Sequence, residues 1–352
     1  MHMKHSARAF DKGINECDRR AGETKNNPNN NTKEQTMGSA RFAAVLLAGL
    51  AMQWLCFGDA QAQVRRMEGE IETIHVRDNI HMLVMEPAGN VTVFTGEDGV
   101  AIVDDQFRPM TERIIDAVTE LSDEPIRYLF NTHWHGDHTG GNRNFGKLGP
   151  VIVAHDNVRK RMSEEQFHLI FKARSAPTPP EGLPVITFSE SMTFYLNGDA
   201  IDVLHVPDAH TDGDSVFYFR NADVMLTGDA YINGGYPLID IATGGTVAGQ
   251  IEATNRMIEM AGPDTVIVSG HGPLSGRDRL IEVRDMLVEC RKRIRALIDE
   301  GLTLKEMKRR KPFADLDAVW GQRLIKGNLF VTIVYQSETG DWVKPENMPL
   351  AE

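Results

Sequence analysis

The sequence predicts an α/β protein. Apolar runs of strand length recur along it, amphipathic stripes at helical spacing fall between them, and turn residues punctuate both. Ile74, Val76, Ile80, Met82 and Val84 alternate with polar neighbours, Val91, Val93 and Phe94 follow, and Val100–Val103 is a continuous apolar run. Pro87 to Asn90 and Gly96 to Gly99 supply the turns between them. Ile114, Ile115, Val118 and Leu121 form one face of a helix over residues 111–121. Strands at 126–130 and 151–154 come next, then a helix near residues 156–171.

Pro177, Pro179, Pro180 and Pro184 make residues 175–184 an irregular loop. Strand-like runs occupy residues 187–206, with a turn at Asn197 and Gly198, and two more strands cover 215–219 and 224–226. Helices at 249–260 and 278–300 flank a strand at 265–269. From residue 301 the character changes: a helix at 304–311, Trp320, the run from Leu329 to Tyr335 and a polar tail read as an extension packed on the preceding domain. A homodimer surface is the alternative.

Composition narrows the function classes. A formal net charge of −12 over 352 residues lacks the basic footprint of a nucleic-acid partner. Residues 1–36, centred on an Asn-rich stretch, have too little apolar content to build a core, and read as a disordered leader or one upstream of the true start at Met37. Residues 37–62 carry Arg41, an apolar run from Phe42 to Phe57 and then Ala60-Gln61-Ala62, the parts of a secretory signal cleaved after Ala62. That order predicts a periplasmic or secreted protein with no stable membrane anchor, whose domain runs over 65–300 and extension over 301–352. Cleavage leaves Cys290 as the single cysteine, so no internal disulfide is available.

Residues 131–141 concentrate the chemistry. His133, His135, Asp137 and His138 follow an apolar strand and precede Gly140 and Gly141. In extended chain, side chains two apart point the same way, so His133 and His135 can pinch one ion while Asp137 and His138 face a neighbouring position. Imidazole with carboxylate suits zinc or a similar divalent ion.

This His-x-His-x-Asp-His pattern resembles the metallo-β-lactamase superfamily. The resemblance implies an αβ/βα sandwich of two mixed β-sheets with outer helices. It also implies a dinuclear zinc site completed downstream. His210, in Pro207 to Gly213, would join His133 and His135 on the first zinc; Asp229, after Thr227-Gly228, would hold one oxygen toward each ion; His271, between Gly270 and Gly272, would join Asp137 and His138 on the second. His205, within strand alternation, reads as structural, and Asp104 or Asp105 as support for a metal histidine. The implied activity is hydrolysis of a small-molecule ester, thioester or cyclic amide by a metal-bound hydroxide, with Asp137 orienting it and shuttling its proton. A non-catalytic zinc-binding protein that keeps the fold is the alternative.

The substrate is less defined. One subclass of secreted β-lactamases carries a cysteine where this chain has Asp229 and a lysine three residues later, where Ile232 stands here. No lysine occurs between Lys172 and Lys292. The His and Asp set is more similar to glyoxalase II and lactonases, although an export signal argues against a cytosolic glutathione thioester. Tyr231, Asn233 and Tyr236 are the candidate polar substrate contacts, and the hairpin tip at 85–90 a flap in which Met85 gives adaptable apolar contact.

Overall fold

The structure, a computed structural model, describes residues 70–344. Its first half builds a seven-stranded sheet. Strands β1 (Glu72–Arg77), β2 (Ile80–Val84), β3 (Val91–Phe94) and β4 (Val100–Val103) pair antiparallel in sequence order. Helix α1 (Thr111–Leu121) then returns the chain so that β5 (Ile126–Phe130) lies parallel to β4. Two short helices, α2 (Gly136–Thr139) and α3 (Asn142–Leu148), lead to β6 (Val151–His155), parallel to β5. Helix α4 (Asp156–Met162), a two-stranded hairpin of β7 (Gln166–His168) and β8 (Ala173–Ser175), and β9 (Ile186–Phe188) on the outer edge of β6 complete this half.

The second half builds a five-stranded sheet in the order β10 (Ser191–Leu196), β11 (Asp199–His205), β12 (Ser215–Phe219), β13 (Val224–Leu226) and β14 (Val266–Val268). Its last pair is parallel and the others antiparallel. Helices α5 (Val247–Met260), α6 (Arg277–Asp299), α7 (Leu304–Arg310), α8 (Asp317–Trp320) and α9 (Gly327–Thr339) follow or interrupt it. Among the described residues no helix is long and apolar enough to cross a membrane. The expected leader and export signal, residues 1–62, lie outside those described.

Period-two alternation explains the layers. In β4, Ala101 and Val103 face the other sheet, while Val100 and Ile102 face α1. In β12 and β13, Phe217, Phe219, Val224 and Leu226 face inward, while Val216 and Met225 meet the helices of the second half. The inner layer is therefore shared by both sheets, with Phe94 against Phe219 and Phe130 against Phe217 in edge-to-face contact. This is the αβ/βα sandwich. Phe313, Trp320, Phe330 and Val334 of the C-terminal stretch are buried in the same outer cluster as α5 and α6.

One expected element differs. Residues 156–171 read as a single helix, but α4 stops at Met162 and a hairpin follows. The basic run Arg159, Lys160 and Arg161 suits a helix C-terminus. Beyond it Gln166–His168 pairs antiparallel with Ala173–Ser175, and Leu169 to Lys172 form the turn between them.

Candidate metal centre

Strand ends deliver the potential ligands. β5 ends at Phe130, and the loop beyond it carries His133 and His135 into α2, which carries Asp137 and His138. His210 lies on the loop after β11, Asp229 just past β13, and His271 just past β14. Three overlapping groups of ligand atoms result, each within 4.8 Å: His133, His135 and His210; His133, His138 and Asp229; and Asp137, His138 and His271.

Asp229 stands between them. Its Oδ1 is 3.3 Å from His138 Nε2 and 3.6 Å from His271 Nε2, and its Oδ2 is 3.6 Å from His210 Nε2. His135 Nδ1 and His210 Nε2 are 2.8 Å apart, and His138 Nε2 and His271 Nε2 are 3.4 Å apart. His133 Nε2 and Asp229 Oδ1 are fully buried with no hydrogen-bond partner in the protein. Leaving such atoms unpaired is costly, so their convergence fits a cation that would occupy the space between them.

The far side of each ring is held by the fold. Asp240 Oδ2 lies 3.0 Å from His135 Nε2, the Leu238 carbonyl 2.6 Å from His210 Nδ1, and Asp104 Oδ2 2.7 Å from His138 Nδ1. Such partners fix the tautomer, leaving the other nitrogen free to face a cation that the group would hold. Asp104 also accepts hydrogen bonds from the Thr132 amide and hydroxyl, and adopts a left-handed φ of 63° that Asp tolerates better than most residues. Close approach sets two glycines: a Cβ at Gly89 would overlap the His138 ring, and one at Gly270 would overlap Asp229 Oδ1.

Electrostatics divide the ligands. Burial, aided by His138 and His210, pushes His133 well below the usual imidazole range. Burial also takes His210 down to about 4 against the pull of Asp229. For His138 and His271 burial acts the same way but loses to Asp229 and Asp137, and both are raised. His135 is raised too, burial being outweighed by its bond to Asp240. Asp137 and Asp229 are lowered despite burial, because the imidazoles of His138 and His271 surround them.

A sequence profile of the metallo-beta-lactamase superfamily matches residues 85–271, more than half of the chain. The chain belongs to that superfamily. It is 23% identical over 184 residues to the atrochrysone carboxyl ACP thioesterase of Aspergillus fumigatus, covering 52% of this chain and 39% of that protein. It is 23% identical over 330 residues to the alkyl/aryl-sulfatase BDS1 of Saccharomyces cerevisiae, covering 80% of this chain and 50% of that protein. The sec-alkylsulfatase Pisa1 from Pseudomonas sp. superposes with a TM-score of 0.58 at 18% identity, over 80% of this chain and 52% of that one, which speaks to the fold alone. The chain spans about two fifths of the length of the curated relatives it matches first.

The seven residues read as ligands meet in this superfamily member; the four read as substrate contacts do not face them. Tyr231 is fully buried, its hydroxyl 3.1 Å from Ser275 Oγ. Tyr236 stacks on Phe330 and donates to Asp317 Oδ1 at 3.1 Å, tying the site loop to the C-terminal helices. Asn233 braces the His271 loop, its amide donating to the His271 carbonyl and its side chain to that of Pro273. Met85 is buried between sheet and α1 with Val91, Ile102 and Met110. The polar side chains of Tyr231, Asn233 and Tyr236 are engaged in hydrogen bonds within the protein.

The hairpin tip expected as a flap is tied to neighbouring loops at Gly89 and Asn90. Asn90 donates from its side chain to the carbonyls of Ser269 and Gly272 and from its amide to that of Gly270, and Gln106 Nε2 donates to the Gly89 carbonyl. His205 stacks on His155 at 3.7 Å, away from the ligand groups, as its strand position implied. Asp240 and His168 were not anticipated. His168 packs 5.0 Å from Trp134 and 6.1 Å from His135, reaching them from the β7–β8 hairpin. The only local signal for Asp240 was an acid closing an apolar stretch, Leu238-Ile239-Asp240, which is too common to single out.

Proposed function

We propose that this protein is an exported hydrolase using two zinc ions to cleave a small ester, thioester or cyclic amide at its carbonyl. One observation carries the reading: seven His and Asp side chains converge while two buried ligand atoms among them have no protein partner. His133, His135 and His210 would hold one ion, Asp137, His138 and His271 the other, with Asp229 between. Thiolate-free N and O ligands suit zinc. When bound, such ions supply Lewis acidity toward the carbonyl oxygen and bring the pKa of a water near neutrality.

The chain's own contribution is orientation and proton transfer. Asp240, Leu238 and Asp104 hold three rings in register. Asp137, whose side chain is 26% exposed, is the most accessible of the seven, and would be placed to orient an attacking water and take its proton at Oδ2. Asp137→Asn should cut kcat by roughly 10²–10⁴-fold, the usual span for a lost general base. Undiminished kcat would remove Asp137 from that role.

A second reading, cleavage of a sulfate ester, is favoured by the match to the yeast sulfatase, which extends over 80% of this chain against 52% for the fungal thioesterase. Metal analysis followed by parallel assays of p-nitrophenyl acetate, a lactone, an acyl thioester, nitrocefin and a secondary alkyl sulfate separates the two. Turnover of carbonyl substrates supports the first, and of sulfates alone the second. A zinc-loaded protein that turns over neither is a non-catalytic metal binder. Export is supported by the charge, apolar run and Ala-x-Ala order at 37–62, and an N-terminus at Gln63 in a periplasmic or culture fraction tests it.

A further inference from the structure

Helix α5 meets two of the loops that carry ligands. At its N-cap, Thr246 donates from its amide to the carbonyls of Asp208 and Ala209 and from its hydroxyl to that of Asp208, in the segment that delivers His210. One turn later Gln250 reaches the turn that delivers Asp229. Its Nε2 donates to the Asp229 carbonyl at 3.4 Å and to the Ala230 carbonyl beside it. Two acceptors on one side fix which way the amide points, so its NH2 group faces the turn. Gln250 is 1% exposed and shares its helix face with buried Val247, Ala253 and Met257, and its Oε1 is fully buried with no hydrogen-bond partner.

Packing alone does not call for glutamine there. Its neighbours on the helix are apolar, and burying an amide oxygen without a partner is costly. Departures of this kind from local rules concentrate where a site requires them. We propose that Gln250 is a positioning residue for Asp229, its amide holding the backbone so that Oδ1 and Oδ2 stay turned toward the two outer ligand groups. The inference rests on the metal-centre reading above. The turn at Gly228–Ala230 has little to shape it from within, since its own bond, from the Tyr231 amide to the Gly228 carbonyl, is 3.4 Å long. Gly270, just past β14, holds one side of it, donating to the Gly228 carbonyl at 2.8 Å and leaving no room for a Cβ against Asp229 Oδ1. Gln250 holds the other side from α5. Asp240 and Asp104 each steady one histidine ring, whereas a brace on Asp229 acts on both groups at once.

Chelator titration of zinc and the visible absorption of the cobalt-loaded protein, both on the full chain, test this apart from turnover. Gln250→Met keeps the side-chain length and removes the donor. It should weaken zinc at both steps of the titration by about 10–100-fold and change the cobalt absorption, which follows ligand geometry. Thr254→Val, one turn further along α5, removes a buried hydroxyl that donates to the Gln250 backbone carbonyl. It should leave both readouts unchanged, which separates positioning from a loss of stability. Gln250→Glu keeps the length and, with burial favouring its protonated form, one donor. It should bind zinc more tightly than Gln250→Met and less tightly than the unaltered chain. Unchanged zinc affinity and cobalt absorption in Gln250→Met that is folded by circular dichroism overturn the inference, as does an equal loss in Thr254→Val. Should Gln250→Met not fold, a Gln250→Glu variant with the affinity of the unaltered chain overturns it in the same way. Zinc affinity that shifts as expected, with no carbonyl or sulfate substrate turned over by the unaltered chain, leaves the inference standing and rejects the hydrolase reading. An unaltered chain that holds no zinc overturns both.

Discussion

The two outer ligand groups are built from similar side chains in different surroundings. His133, His135 and His210 are buried, and burial keeps His133 and His210 neutral. In the other group only His138 is buried; Asp137 and His271 reach toward solvent, and carboxylates raise His138 and His271 toward the protonated form. One group thus holds two neutral donors ready for a cation beside a raised His135, the other an internally compensated ion cluster that a cation has to displace. The difference teaches that equal ligand counts do not make equal sites: the buried group should bind first and the open group should exchange.

Asp229, the residue common to both sides, gives the largest effect. Asp229→Ala should empty the open group, loosen the buried one and lower turnover by roughly a thousandfold or more, since several kcal/mol of charge stabilisation depends on the ions. Zinc content by mass spectrometry checks it, and two retained ions would dissolve the distinction drawn above.

Next come the carboxylates behind the rings. Asp240→Asn should weaken zinc at the buried group and Asp104→Asn at the open group, each by roughly 10–100-fold. Chelator titration should therefore show a different step moving in each variant. The same step moving in both would mean that the groups fill as one unit.

The pH dependence sharpens the same contrast. His138 and His271 have raised pKa values, so the metal-free protein favours protons there and metal uptake must displace those it holds. His133 and His210, lowered, release none in that range; His135 alone in the buried group is raised. As pH falls below neutrality the open group should empty first, by up to about tenfold in affinity per pH unit for each proton displaced. Zinc retained after equilibrium dialysis across pH 5–8 follows this, and earlier loss from the buried group would reverse the assignment.

Tyr236→Phe should matter least. It deletes a hydrogen bond to Asp317 far from the ligands, costing about 1 kcal/mol in thermal or denaturant unfolding without changing zinc content. A change in zinc content would return Tyr236 to the site.

These outcomes mark where local sequence is informative. Helix α1 and strand β13 were legible to the residue, because alternation and helical stripes record which face of an element is covered. The candidate ligands stood out because four crowd one motif, Asp229 and His271 follow strands beside glycine, and His210 lies in the segment to which the family resemblance points. What stayed hidden depends on distant partners. Tyr236 looked like a substrate contact until Asp317 and Phe330, over eighty positions away, were placed against it. Asp240 and His168 have meaning only beside His135, from which the chain alone gives no distance.

The tight turns at the opposite rim of the sandwich carry none of the ligands. There Asn79 bonds to Thr95, Asp98 and Asn197 exchange backbone and side-chain hydrogen bonds, and Arg77 donates to the carbonyls of Ala222 and Asp223. That rim closes the two sheets independently of the chemistry. Fusions, insertions or new termini introduced at Asn197-Gly198 should therefore spare zinc loading, leaving this edge as a handle for immobilising or relabelling the protein.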